Sequence, residues 1–430
     1  MQIEAASFRT PSAMPGPDAP PAARYRAVRA FTEALCAPLA VEDYVVQTMA
    51  DVSPTKWHLA HTTWFFETFV LGPHLQGYRP FHPQYAYLFN SYYVQAGERH
   101  CRDRRGYLSR PTVEDVYRYR AHVDAHMSEL LETTDESVRQ TVLPLLEIGL
   151  NHEQQHQELM LTDIKHVFSV NPLRPAYRDA PAGPSGPAPA LRWLEYDEGL
   201  YDFGHDGTGF AYDNEGPRHR AYLHAFRLAS RTVTNGEYLA FIDDGGYRRP
   251  ELWLSEGWAT AQANGWTEPF YWERRDGRWY VYTLAGLREL DEAEPVCHVS
   301  YFEADAYARW AGARLPEERE WELAARDVPV GGNFAEDGRH HPVAAAETAA
   351  AAPLQLYGNL WEWTRSPYAP YPGYAPAPGA LGEYNGKFMC NQFVLRGGSC
   401  ATSRTHIRAT YRNFFPPNAA WQFMGIRLAQ

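Results

Sequence analysis

The stretch His152-Glu153-Gln154-Gln155-His156 puts two imidazoles four residues apart in a segment with helical apolar spacing. Residues i and i+4 lie about 40° apart around a helix, so both rings can reach one metal ion. Leu145, Ile148, Leu159 and Asp163 fall on the same side. The pair is therefore predicted to face inward, with Gln154 and Glu158 outward and Gln155 on the flank of the site. A second pair, His122 and His126, has the same spacing but lies off the stripe of Val116, Val123, Met127 and Leu130, and reads as a solvated edge. A third ligand must come from another element. Segment 54–71 offers His58 and His61, but it is apolar nearly all round, and periodicity does not choose between them. HEQQH is also literally H-E-x-x-H, the zinc-protease signature with Glu153 as general base. That competing reading is weakened because HEQQHQELMLT supplies no third histidine at the extended spacing.

These side chains need a scaffold. Helical text runs from about Ala23 to Asn171: a segment near Arg24–Ala37, one opened by Ser53 and Pro54 toward Leu71, one capped by Thr112 and running to about Glu132, and one opened by Pro144 and reaching about Phe168. Four such segments predict a four-helix bundle over 23–171, after a Pro- and Ala-rich flexible tail over 1–22. Residues 172–190 are proline-rich and read as a semi-extended linker. From 191 to 430, short aromatic and β-branched runs such as 279–284 and 393–399 alternate with Gly-rich turns, interrupted by helical pieces at Val233–Asp243, Tyr301–Trp310 and Glu317–Arg326. The whole reads as a two-domain α+β chain.

Composition limits what such a scaffold can serve. The 430 residues carry a net charge of −12, which disfavours a phosphate-backbone binder and predicts no nucleic-acid partner. No run of 18 apolar residues occurs, so no membrane span is expected. Five cysteines (Cys36, Cys101, Cys297, Cys390, Cys400) form no CxxC pair, which fits a reducing, cytoplasmic compartment. Aromatic residues make up 14% of the chain, far more than disordered or coiled-coil sequences hold.

Four motifs together carry a family resemblance. Lys56-Trp57-His58-Leu59-Ala60-His61, HEQQHQEL, GNLWEWTRSPY over 358–368 and LRGGSCATSRTHIRATYRNFF over 395–415 resemble the sulfoxide synthases of ergothioneine biosynthesis. These are mononuclear non-haem iron enzymes that join a DinB-like bundle to a formylglycine-generating-enzyme-like domain of C-type-lectin-like fold. The resemblance implies Fe(II) held by three histidines, His61, His152 and His156, with O2 as co-substrate. The implied reaction couples a thiol to the imidazole C2 of hercynine, the betaine of histidine, with S-oxygenation.

The resemblance also implies who meets the substrates. Gln155 and Asn413 match hercynine-binding positions. Phe414, Phe415 and Trp421 are candidates to face its trimethylammonium group, a cation that aromatic faces hold well. Arg102 and Arg105 are candidates for the thiol substrate's carboxylate, because guanidinium binds carboxylate in bidentate fashion. Tyr92 and Tyr93 match a tandem pair found in one subgroup, with Tyr93 favoured as proton donor. That subgroup leans toward free cysteine over γ-glutamylcysteine. The implied cleft between domains predicts that neither half acts alone. Relatives that make selenoneine or ovothiol share the chemistry, although no third domain of the ovothiol kind fits here. A lectin-like binding module without catalysis is the alternative of another class.

Overall fold

The computed structural model describes residues 14–132, 135–181, 183, 186–346 and 352–430. The chain divides into two compact units, Met1–Arg178 and Asp179–Gln430. Most of the expected tail, residues 1–13, lies outside the described residues.

The first unit is built on helices α1 (Pro21–Cys36), α2 (Thr55–Phe66), α5 (Val113–Leu131) and α6 (Glu136–Val170), with the short α3 (Gly72–His74) and α4 (Tyr85–Phe89) in the connections. α1 starts on its proline, where the missing N–H costs no hydrogen bond. Thr112 caps α5 by accepting from the Asp115 amide, while the Asp115 carboxylate accepts from the Thr112 amide. Two expected starts differ. Ser53 does not cap α2: its hydroxyl accepts from Arg105, and the helix begins at Thr55 after Pro54. Pro144 does not open the last helix. α6 starts eight residues earlier, capped by Asp135, and carries Pro144 in its interior. A proline reads as a start signal, but the Asp135 cap and the continuous apolar stripe outweigh its local penalty.

α2 and α6 form the centre of this unit. Every residue of α2 is buried. They approach closely at Gly149, where a Cβ would come within 2.4 Å of the Phe66 ring. Gly149 precedes His152 by about one turn, so this contact sets how near the histidine stretch comes to α2. Gln154 and Glu158, expected outward, are buried. Polarity marks a solvent face only when the side chain finds no partner inside, and buried polar groups are normally hydrogen-bonded. Tyr177, in the expected linker, is also buried, its hydroxyl donating to the Leu35 carbonyl.

The second unit holds eleven short strands among the described residues. β1 (Trp193–Tyr196) pairs with β4 (Phe226–Ala229), and β2 (Gly199–Phe203) with β3 (His219–Leu223). β5 (Trp272–Arg275), β6 (Arg278–Thr283) and β7 (Gly286–Glu289) make a meander. The fourth sheet runs β10 (Asn413–Phe415), β9 (Phe393–Arg396), β8 (Trp361–Pro367), β11 (Met424–Gly425), with only the β8–β11 pair parallel. Helices α7 (Asn235–Asp243), α9 (Tyr301–Trp310) and α10 (Glu318–Ala325) match the expected pieces, and α8 (Ser255–Asn264) was not expected. Ser255–Asn264 has almost no apolar periodicity to announce it. One core gathers Trp321, Trp361, Trp363, Phe241 and Tyr238, which accounts for much of the aromatic excess. No helix among the described residues is long and apolar enough to cross a membrane.

Candidate metal centre

α2 and α6 bring three imidazoles together. One ring nitrogen from each of His61, His152 and His156 lies within 4.8 Å of the others, and all three residues are buried. The Nε2 atoms of His61 and His152 are 3.2 Å apart. His61 Nδ1 sits 2.6 Å from the Phe89 carbonyl oxygen. A carbonyl can only accept, so Nδ1 carries the proton and Nε2 turns its lone pair to the cluster. Trp57 and Trp64, one turn before and one turn after, stack on the His61 ring at centroid distances of 4.6 and 5.5 Å. Phe65 packs on His152 at 4.9 Å. This aromatic box fixes the rings and removes water from around them.

Burial, reinforced by the neighbouring imidazoles, holds His61 and His156 well below the ordinary histidine range. Burial pushes His152 down to about 4. All three are therefore neutral at pH 7 and offer lone pairs. Three neutral imidazoles with no thiolate or carboxylate in the cluster suit a divalent first-row ion such as iron(II). His58, the histidine of the same helix that periodicity could not separate from His61, takes a different place. Its Nδ1 is 2.8 Å from His156 Nδ1, and its Nε2 is 2.9 Å from Asp163 Oδ2. The helical spacing puts Asp163 on the inward face of α6 but assigns it no role. Its spacing from His156, seven residues or about two turns, was the available signal.

Glu153 is committed elsewhere. Its carboxylate is fully buried, accepting from Thr32, Arg29 and Arg120 at 2.7 to 3.2 Å. Burial raises its pKa, but the two guanidiniums outweigh this and hold it below the usual range. A carboxylate with both oxygens engaged by these donors, about 100° around the helix from His152, is not free to act as general base at the histidines, which counts against the zinc-hydrolase reading. His122 and His126 are part-buried and pack against Tyr78, with no third ligand gathered there among the described residues.

The loop after α4 carries the tyrosine pair. Asn90 closes the turn, donating to the carbonyls of Tyr93 and Gly97 and accepting from the Tyr93 amide. Tyr93 is buried against Trp64 and Phe69, so it adjoins the ring that stacks on His61. Tyr92 is half-buried, its hydroxyl accepting from Arg102 at 3.1 Å. Arg102 is half-exposed and also donates to the Asp51 carbonyl. Arg105 is different. It is buried, its guanidinium carbon 3.3 Å from the Trp57 ring centre, donating to Ser53 and Ser91 hydroxyls. Among the described residues it has no carboxylate at ion-pair distance, and its Nε has no acceptor. Burial pushes its pKa down to about 9, which leaves it charged at neutral pH. Gln155 is half-buried on α6 beside His156.

In the second unit, Asn413, Phe414 and Phe415 lie on β10. Neighbours on a strand point to opposite faces. Phe414 stacks on Tyr368 at 4.1 Å, whereas Phe415 meets Trp421 edge-on at 6.0 Å. The three rings therefore do not form one cage; Phe415 and Trp421 form a pair, and the Trp421 indole N–H has no acceptor among the described residues.

Comparison with known proteins matches these units to two families. Residues 24–160 match the DinB superfamily, and residues 196–430 match the sulfatase-modifying factor enzyme 1-like domain. A hercynine oxygenase of Mycolicibacterium smegmatis is 34% identical over 411 residues, covering 88% of this chain and 91% of that protein. One from Mycobacterium tuberculosis is 36% identical over 301 residues, covering 65% and 70%. A formylglycine-generating enzyme of Streptomyces coelicolor is 29% identical over 268 residues, covering 52% and 83%. Similarity to the formylglycine-generating enzyme is confined to about half the chain, whereas the first of these oxygenases aligns across both units; the chain therefore belongs to the hercynine oxygenase family and is an oxygenase with a DinB-like helical unit and a sulfatase-modifying-factor-like unit.

Proposed function

We propose that this chain is an iron(II)-dependent sulfoxide synthase of ergothioneine biosynthesis, coupling cysteine to the imidazole C2 of hercynine. The observation that carries the reading is the buried convergence of three neutral imidazoles in a chain of this family. Hercynine gives up a C–H and the thiol an S–H; a C–S bond and a sulfoxide form, and O2 is reduced by four electrons with water as by-product. Iron held by His61, His152 and His156 would supply the redox chemistry with O2.

The chain's own side chains do the rest. Arg105 binds the carboxylate of the thiol substrate, which supplies the anion its buried guanidinium lacks, and Arg102 assists from the loop edge. Tyr93 holds a phenolic proton beside the metal ligands, with Tyr92 as its neighbour. Gln155 and Asn413 are polar partners for hercynine. Phe415 and Trp421 offer ring surface to its trimethylammonium group, with Phe414 behind them. The five cysteines form no CxxC pair, which suits a reducing compartment in which iron(II) persists.

The test is anaerobic Fe(II) loading of the full chain, then O2 with hercynine and either cysteine, γ-glutamylcysteine or a selenium donor, read by product mass. A cysteine-derived sulfoxide formed faster than the others is expected. O2 uptake that needs no hercynine, or no coupled product with any donor, overturns the reading.

A further inference from the structure

His58 and Asp163 stand outside the metal cluster, yet both are buried and in line with one of its ligands. Asp163 Oδ2 accepts from the Ser53 amide at 2.8 Å, which anchors it to the chain entering α2. The same oxygen lies 2.9 Å from His58 Nε2, and His58 Nδ1 lies 2.8 Å from His156 Nδ1. A carboxylate can only accept, so a neutral His58 must carry its proton on Nε2. Its Nδ1 is then an acceptor. The facing Nδ1 of His156 must in turn be the donor, which strips the proton from His156 Nε2. The opposite placement sets two lone pairs against each other at Asp163 and blocks Nε2 of His156 with a proton.

We propose that Asp163 and His58 form a proton-fixing relay that presents His156 to the metal through Nε2, making both of them positioning residues. This rests on the reading of His156 as a metal ligand. The three ligands are then supported unequally. His61 is fixed by a backbone carbonyl, His156 by a two-residue relay, and His152 Nδ1 has no partner among the described residues. Outer partners of this kind raise ligand basicity and lock ring orientation, and their loss typically weakens metal binding about 10–100-fold. A histidine as intermediate, in place of a direct carboxylate, lets Asp163 tie the ligand helix to the start of α2. The metal ligands of both helices thereby share one anchor.

The relay can be read without turnover. Full-length protein stripped of metal would be titrated anaerobically with Co(II) against a competing chelator, following the ligand-field bands. Replacing His58 by Leu removes the acceptor, and binding about 10–100-fold weaker is expected. Asp163→Asn keeps an acceptor but loses the charge, and about tenfold is expected, the lower end of that range. His58→Gln can accept from His156 and donate to Asp163, so it should stay within about threefold of wild type, well short of the loss expected for Leu. If the Leu variant fails to fold, the Gln and Asn variants still decide, together with long-range 1H–15N spectra of 15N-histidine-labelled wild type. Those spectra should give His156 protonated on Nδ1 and His58 on Nε2. The reverse tautomers overturn the relay. Tight wild-type binding that is lost in His156→Ala but unchanged in both Asp163→Asn and His58→Leu overturns the relay alone. Wild-type binding no better than that of His156→Ala overturns the metal reading and the relay with it.

Discussion

The second unit pairs its buried arginines with carboxylates, and the first does so at Arg29 and Arg120 but not at Arg105. In the second unit, Arg412 and Arg396 share Glu318 at 2.9 to 3.1 Å, and Arg396 also reaches Glu322. Arg427 meets Glu362 at 2.6 Å with both side chains fully buried. In the first unit, Arg105 is as deeply buried but rests on an indole face and two hydroxyls. A buried charge is tolerated when paired and costly when not. The paired arginines are therefore structural, holding loops that have little regular secondary structure of their own. The unpaired one is a standing cost that a bound anion would offset, as the role proposed for Arg105 requires.

The sharpest way to break this contrast is to unpair an arginine of the second unit. Glu318→Ala leaves Arg412 with only the carbonyls of Asn214 and Ala369. Loss of one partner of a buried pair typically costs about 3–5 kcal/mol. A shift of that size should appear in denaturant unfolding of the intact chain. A loss below about 1 kcal/mol, the range of exposed pairs, would mean the network is no more than surface electrostatics.

Glu303 is an exception inside the second unit and sharpens the rule from the other side. It is buried, accepts from the Tyr247 hydroxyl and the Ser300 amide, and has no guanidinium. Burial pushes its pKa up to about 7. The folded chain then keeps a proton that the unfolded chain has released. Stability falls as pH rises from about 4.5 to about 7 and levels off above, by about 3 kcal/mol in all. In Glu303→Gln this component of the slope should vanish, so the variant gains on wild type as pH is raised toward 8. Parallel pH–stability curves for the two proteins would remove Glu303 as the cause.

How far such sites are legible in sequence depends on what makes them. The His152–His156 pair was readable because a helix converts spacing into direction. The choice of His61 over His58 was not, because α2 is buried all round and has no polar face to read; only the family resemblance favoured His61. His58 and Asp163 escaped notice for a related reason: a relay between two helices has no period in either. The start of α6 is masked by Pro144, a stronger local start signal than the distant Asp135 cap, and the burial of Gln154 and Glu158 is masked by their polarity. The split of Phe414 from Phe415 was open to inspection. A strand alternates, and adjacent aromatics on one cannot face the same cation.

Replacing Arg105 by Met tests the unpaired member directly. Methionine fills similar space against Trp57 and brings no charge into the site. Folding stability should change by less than about 1 kcal/mol or rise, because an unpaired buried charge has been removed. KM for the thiol substrate should rise about 10–100-fold, the loss of one charge-assisted contact, while that for hercynine stays near wild type. A large loss of stability with an unchanged thiol KM would place Arg105 with the structural arginines and dissolve the contrast.

Arg102 supplies the smallest and most discriminating effect. It lies three residues from Arg105 on the same loop and belongs to the same expected carboxylate site, yet it is half-exposed, 3.9 Å from Asp51. Solvent screening leaves such a pair worth less than about 1 kcal/mol, so Arg102→Ala should hardly alter stability. Its Nη1 contact to the Tyr92 hydroxyl gives it a second, indirect route to function. If that contact places the tyrosine pair, the variant should lower kcat a few-fold at saturating thiol and leave KM within about twofold, since an exposed cation adds little binding energy. If Arg102 instead binds the carboxylate alongside Arg105, KM should carry the change, in the manner of the Arg105 variant. The ratio of the two effects assigns Arg102 to the tyrosines or to the anion, and so decides whether the unpaired guanidinium acts alone.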